Sequence, residues 1–262
     1  MARSLTTQSL PVRVLAYGTD EPLPEREPVR AGPLTMIFEA GDLRSVRLGD
    51  REILRRVYVA VRDRNWDTVP AVLADVRIER GSDWFAIAFR AEHRQDPVDF
   101  AWVGTIRGDS AGTITYTMEG TARSTFLRNR IGICVHHPIR ECAGLACVVE
   151  HDDGSIERGA FPQAIAPHQP FRMIRAIAHE VAPGLRAEVR FAGEVFEMED
   201  QRNWTDASFK TYSTPLEWPF PVAVPAGTSL AQSVVLTLQP IPLNAEDGIR
   251  PPLPPGEGRG EG

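Results

Sequence analysis

Hydrophobic residues along this chain come in short alternating runs, and helical spacing is almost absent. Leu34-Thr35-Met36-Ile37-Phe38 alternates, Ala40-Gly41-Asp42 turns, and Leu43 to Leu48 alternates again. Period-two alternation puts every second side chain on one face, so each run reads as a half-buried strand. Ile53 to Val61 is a longer β-branched run. Leu73 to Ile78, Trp84 to Ala91, Val98 to Ile106 and Thr113 to Met118 continue the pattern. Further runs are Ser124 to Leu127, Ile131 to Val135, Leu145 to Val149, Met173 to Ile177, Leu185 to Phe191 and Leu230 to Leu238. Turn formers punctuate them at Gly49-Asp50, Arg80-Gly81-Ser82-Asp83, Gln95-Asp96-Pro97 and Gly108-Asp109-Ser110. The patch Ala71-Val72-Leu73-Ala74 follows Pro70 but never develops a helical stripe. Short strands at intervals of ~8–12 residues predict an all-β fold, a large antiparallel β-sandwich. The strands outnumber the seven of an immunoglobulin-like unit, which favours two large facing sheets.

The two ends break this rhythm. Residues 1–30 hold Pro11, Pro22, Pro24 and Pro28 among charges, and read as a mobile lead-in. Its apolar patch, Val12 to Tyr17, is expected to pair as an edge strand. Residues 31–240 form the predicted sandwich domain. Residues 241–262 are rich in proline and glycine, with Leu253 the only sizeable apolar side chain beyond Ile249, and disorder is expected there.

Composition narrows the function classes. The net charge of -6 comes without any basic block, so nucleic acid is not an expected partner. No apolar run reaches the ~18–20 residues that span a bilayer, so no membrane role is expected. Met1 to Leu5 lacks the apolar core of a signal peptide, which makes the cytoplasm the expected location. Cys134, Cys142 and Cys147 lack CxxC spacing and read as reduced, buried thiols. The turn His151-Asp152-Asp153-Gly154 lacks EF-hand spacing, so no metal is expected. There is no P-loop and no GxGxxG, so no nucleotide cofactor is expected. The GxSxG string Gly108 to Gly112 falls in a turn between two strand runs and not ahead of a helix, so no serine nucleophile is expected.

Candidate chemistry gathers in Glu197 to Tyr212, expected to be a strand end passing into a loop. Glu197 and Glu199 are two apart, so both point to one face. Paired carboxylates can raise one another's pKa and supply a general base. Asn203, Asp206 and Lys210 suit hydroxyl groups, and Trp204 suits the apolar side of a sugar ring. A polar loop tied by surface ion pairs would have the same composition. His136-His137 closes the strand Ile131 to Val135, and only one imidazole can join the Glu197/Glu199 face. His136 shares its face with the small residues Gly132 and Cys134, which leaves room for a ligand. Arg64-Asn65-Trp66 repeats the triplet Arg202-Asn203-Trp204, so two strand ends could flank one pocket. Arg128-Asn129-Arg130 adds a further polar corner. Arginine suits a lactone carbonyl turning into an oxyanion, because it stays charged and presents several donors.

The run FEMEDQRNWTDASFKTYSTPL, with RNRIGICVHHP and FPQAIAPHQPF, resembles the N-terminal region of bacterial D-apionate lactonases, over about Gly32 to Leu238. The resemblance implies a supersandwich of the galactose mutarotase type and hydrolysis of a sugar-acid lactone to its open acid. Glu199 or His136 would activate water, and Arg202 or Arg64 would stabilise the oxyanion. In that family the sandwich precedes a barrel domain that this chain does not continue into, so a truncated N-terminal domain is expected. The Pro/Gly-rich tail then reads either as a linker or as read-through after a broken reading frame, and the second is favoured. Two readings of other classes stay open. One is a non-catalytic carbohydrate-binding or scaffolding fragment, with catalysis on the barrel. The other is an aldose mutarotase-like enzyme using a His and a Glu.

Overall fold

The computed structural model describes residues 10–241. The predicted tail from 242 onward lies outside the described residues, as do residues 1–9.

In chain order the strands are β1 (Arg26–Ala31), β2 (Leu34–Glu39), β3 (Asp42–Leu48), β4 (Arg51–Asp63), β5 (Ala71–Arg80) and β6 (Phe85–Gln95). Then come β7 (Val98–Gly108), β8 (Ile114–Ala122), β9 (Phe126–Pro138), β10 (Ala146–His151), β11 (Ile156–Ala160) and β12 (Ile174–Ala182). The last five are β13 (Leu185–Ala192), β14 (Phe196–Asp200), β15 (Ser208–Ser213), β16 (Val222–Val224) and β17 (Ser229–Pro240). Every pairing among them is antiparallel. One layer runs β1-β2-β3-β4-β9-β15-β14, with β16 pairing the start of β9. The other runs β5-β6-β7-β8-β17-β13-β12-β10-β11. A single pairing, Ile174 with Phe196, joins the layers.

Alternation explains the core. In β6 and β7, Phe85, Ile87, Phe89, Phe100, Trp102 and Ile106 are buried while their neighbours are not. Phe38 of β2 meets Phe89 of β6 with ring centroids 5.8 Å apart, so apolar faces of the two layers pack on each other. Burial of such aromatic side chains is the main favourable term in holding the layers together.

The fold departs from the sequence pattern in several places. Val12–Tyr17 is a short helix, α1, rather than an edge strand. None of its residues is buried, Val12 and Leu15 are exposed, and Gly18 ends it in a left-handed conformation. Ser124 to Leu127 and Ile131 to Val135 merge into β9, so Arg128-Asn129-Arg130 is strand rather than corner. These polar residues enter a strand because β4 and β16 supply the backbone partners on either side. The expected loop from Gln201 onward is one 3-10 turn, Gln201–Trp204, followed by β15. Pairing on both sides, to β14 and β9, makes Ser208–Ser213 a strand despite its polar composition.

Candidate functional site

Strands β4, β9, β15 and β14 lie side by side, and their register builds the site as rows of outward side chains. Arg56, His136, Lys210 and Glu199 form one row; Tyr58, Cys134, Tyr212 and Glu197 form the next. Ala60 opposite Gly132 and Arg62 opposite Arg130 continue the lattice. Their chain neighbours Val57, Val61, Ile131, Ile133 and Val135 point into the core. The sequence rule that puts odd and even residues on opposite faces therefore places the polar set together.

A cavity of about 590 Å³ opens on this face, a volume that suits a small ligand. Tyr58, Ala60, Gly132, Cys134 and Tyr212 floor it, and Trp66, Leu216 and Phe220 wall it. Arg62, Arg130, Glu199, Lys210, Gln201, Trp204 and Ser213 complete the lining. Gly132 is required here: a Cβ at this position would collide with the Ser213 hydroxyl and the Gln232 amide. Gln232 in turn accepts from the Ile133 amide at 2.8 Å and reaches the Ile131 carbonyl at 3.3 Å. A second cavity of about 340 Å³ shares Tyr58, Ala60 and Arg62 with the first.

Glu199 organises the rim. One of its oxygens accepts from the Trp204 indole at 2.7 Å, and the other accepts from Gln201 at 2.8 Å and Lys210 at 3.2 Å. Trp204 is thereby held beside the pocket while 69% exposed. Glu197 lies beneath, buried, and accepts from the Tyr212 hydroxyl at 2.5 Å and the Leu216 amide at 2.6 Å. Burial pushes the phenols of Tyr58 and Tyr212 far above their ordinary range, so both remain protonated donors. Burial also pushes the Cys134 thiol up, which makes it a poor nucleophile.

Arg130 is buried, at 4% exposure, with its guanidinium 5.2 Å from the ring centroids of both Trp66 and Phe220. It donates to the main-chain carbonyls of Asn129 at 2.6 Å and Pro215 at 3.1 Å. Trp66 adopts a left-handed backbone conformation at φ 71°, and its carbonyl accepts from Arg62 at 2.9 Å. Asp63 caps the same loop by accepting from the Asn65 and Asp67 amides.

The expected site residues divide. Glu199, Trp204, Lys210 and Trp66 line the pocket. His136 shares their face but lies under it, buried and outside the lining. Its Nδ1 faces the Ser208 hydroxyl at 3.0 Å, and Ser208 donates to Asp206 at 2.9 Å. Because the hydroxyl proton goes to Asp206, Nδ1 is the protonated nitrogen and Nε2 the bare one. Burial drives the His136 pKa down to about 4, so the ring is neutral and only weakly basic. Asp206 acts on this imidazole, not on the pocket.

Arg202 requires the clearest correction. Its guanidinium pairs with Asp200 at 2.7 Å and donates to the carbonyls of Pro162, Gln163 and Ala164. Those bonds tie the Phe161–Phe171 loop down and leave Arg202 outside the pocket lining. Asn203 does the same with the Ala166 carbonyl at 2.7 Å. Arg64 and Asn65 sit exposed at the loop tip, and neither they nor Arg128 belong to the pocket lining. The triplet repeat thus brings Trp66 and Trp204 to one cavity, but not their arginines and amides.

Tyr58, Arg62, Cys134, Leu216 and Phe220 line the pocket beyond the expected site residues, while Arg130 and Tyr212 come from the expected polar corner and the Glu197 to Tyr212 stretch. Extending the even-numbered alternation of β9 back from Cys134 leads to Arg130. Extending β4 from Arg56 leads to Tyr58 and Arg62.

Residues 14–241 match the family model described as D-apionate lactonase, N-terminal domain. This chain belongs to that family. A curated relative, the D-apionate lactonase of Brucella anthropi, is 39% identical over 225 residues. The match covers 86% of this chain and 37% of the relative, so the chain spans little more than a third of the relative's length. Among solved structures, a candidate aldose 1-epimerase from Escherichia coli K12 aligns with a TM-score of 0.55 at 12% identity. That alignment covers 82% of this chain and 99% of the other. Galactose 1-epimerase from Lactobacillus acidophilus NCFM aligns with a TM-score of 0.50 at 8% identity, covering 83% and 99%. At such identities the likeness shows the fold, a galactose mutarotase-like sandwich, as the resemblance implied. Among the described residues no helix is long and apolar enough to cross a membrane.

Proposed function

We propose that the outer-face pocket holds a sugar-acid lactone, or the open acid formed from it, and that the chain serves in hydrolysis of that lactone. The observation that carries this reading is the pocket's make-up. Indoles at Trp66 and Trp204 offer flat faces to the C–H side of a sugar, while Tyr58, Tyr212, Gln201 and Lys210 meet its hydroxyls. In hydrolysis, water oxygen adds to the carbonyl carbon, the ring C–O ester bond breaks, and the ring oxygen leaves as a hydroxyl with a proton. Glu199 is the only carboxylate among the lining residues, and we assign it to water activation. Arg130, in place of Arg202 or Arg64, would meet the developing oxyanion. The cytoplasm is the proposed setting, with the remaining length of the lactonase relatives, a barrel domain in our reading, acting alongside this domain.

A second reading is binding without chemistry. It is favoured by Glu199 itself, whose two oxygens already accept from Trp204, Gln201 and Lys210. Calorimetry with D-apionate lactone, run beside ring opening followed by proton release, separates the two. Turnover above the spontaneous rate that disappears in Glu199→Gln, with binding retained, supports hydrolysis at this face. Binding alone supports the second reading, and no binding removes both.

A further inference from the structure

Each other cation of these rows has its carboxylate. Arg56 pairs with Asp42 at 2.7 Å, and Lys210 with Glu199 at 3.2 Å. Arg62 and Arg130 stand opposite each other across the β4–β9 pair, and among the described residues neither has a carboxylate within ion-pair distance. Like charges directly opposite on a sheet are unfavourable, and buried cations are ordinarily paired. Arg130 donates only to main-chain carbonyls, and its Nε is buried with no partner. The nearby carboxylate of Glu197 already accepts from Tyr212 and the Leu216 amide.

We infer that the Arg62–Arg130 end of the pocket is a carboxylate site, so that the pocket selects the anionic open form of a polyhydroxy acid over its neutral lactone. The inference rests on the reading that the pocket takes a sugar acid, and adds which charge state it prefers. Arg62 and Arg130 both line this end of the pocket, beside Trp66 and Phe220, and guanidinium N–H groups match a planar carboxylate. Burial holds the Arg130 pKa below its ordinary value, the same unfavourable desolvation that an arriving anion would relieve. The lactone presents only a carbonyl and gains no charge neutralisation.

Calorimetry with D-apionate, its neutral amide and its lactone tests this. The anion should bind the unmodified protein about tenfold tighter than the amide or more, with the ratio shrinking as salt rises. In Arg62→Gln and Arg130→Gln the ratio should fall towards one, the anion losing more affinity than the amide. Arg130 is buried, so its variant is checked for folding by circular dichroism, and the half-buried Arg62 carries the test if it fails. Equal affinity for anion and amide in the unmodified protein overturns the charge preference but leaves the pocket reading intact. Inorganic phosphate competing as well as D-apionate overturns the carboxylate assignment. No binding of any of the three overturns both readings.

Discussion

Tyr212 donates its phenolic hydrogen to Glu197 across the β14–β15 pair at 2.5 Å, which makes a buried carboxylate the anchor of the pocket wall. The same Glu197 oxygen accepts the Leu216 amide at 2.6 Å. The segment carrying Leu216 and Phe220 is therefore tied to the sheet by Glu197, beside the Arg130 bond to the Pro215 carbonyl. Glu197→Ala leaves the buried Tyr212 hydroxyl without an acceptor, along with the part-buried Leu216 amide, and should cost about 2 kcal/mol, since a buried unsatisfied donor costs ~1–3 kcal/mol. Thermal denaturation would show it as a drop of several degrees. An unchanged melting temperature would remove the tie.

Arg202 predicts a different phenotype from the one its sequence neighbourhood suggests. Arg202→Ala breaks the tie to Asp200 and to the carbonyls at 162–164. Amide exchange in the Phe161–Phe171 loop should rise about tenfold or more, from the loss of charge-assisted hydrogen bonds. Ligand affinity should stay within about twofold, because Arg202 lies outside the pocket lining. A large loss of affinity with unchanged exchange would contradict the placement.

Trp204 offers the converse. It is mostly exposed and its indole donates to Glu199, so Trp204→Ala should shift stability by less than ~1 kcal/mol. Sugar-acid affinity should fall about three- to tenfold, in keeping with lost stacking. Calorimetry and a melting curve on the same variant check both halves.

Acid should destabilise the fold through its buried imidazoles. Burial depresses His136 and His179 to about 4 and His137 to about 3, against an ordinary value of 6.5. Above pH 6.5 neither folded nor unfolded chain binds these protons, so their neutral burial costs nothing extra. As pH falls through 6.5 the unfolded chain takes them up while the folded chain does not until about 3 to 4. Stability therefore declines across that window, by up to about 1.4 kcal/mol per pH unit for each histidine. Urea midpoints measured from pH 7.5 to 5 should fall steadily, and a flat profile would contradict the assignment.

The sandwich was legible because alternation is local. Leu34 to Phe38, Val98 to Ile106 and Leu230 to Leu238 each announce a strand from their own side chains, and each is one. Glu197 and Glu199 could likewise be put on one face from spacing alone. Arg202 could not be placed, because nothing nearby in sequence says that the Pro162–Ala164 carbonyls lie under it. Nor could His136 be seen to lie under the pocket floor, since its Ser208 contact comes from a strand more than seventy residues on.

By itself, the order of residues determined the two-residue rhythm, the antiparallel β class and which side chains share a face, since those follow from backbone geometry within a few residues. Tertiary structure alone decided that β4, β9, β15 and β14 are neighbours, and with that the pairing of Arg62 to Arg130 and of Glu199 to Lys210. Strand partners are chosen by burial and hydrogen bonding over the whole chain, and no local pattern encodes that choice.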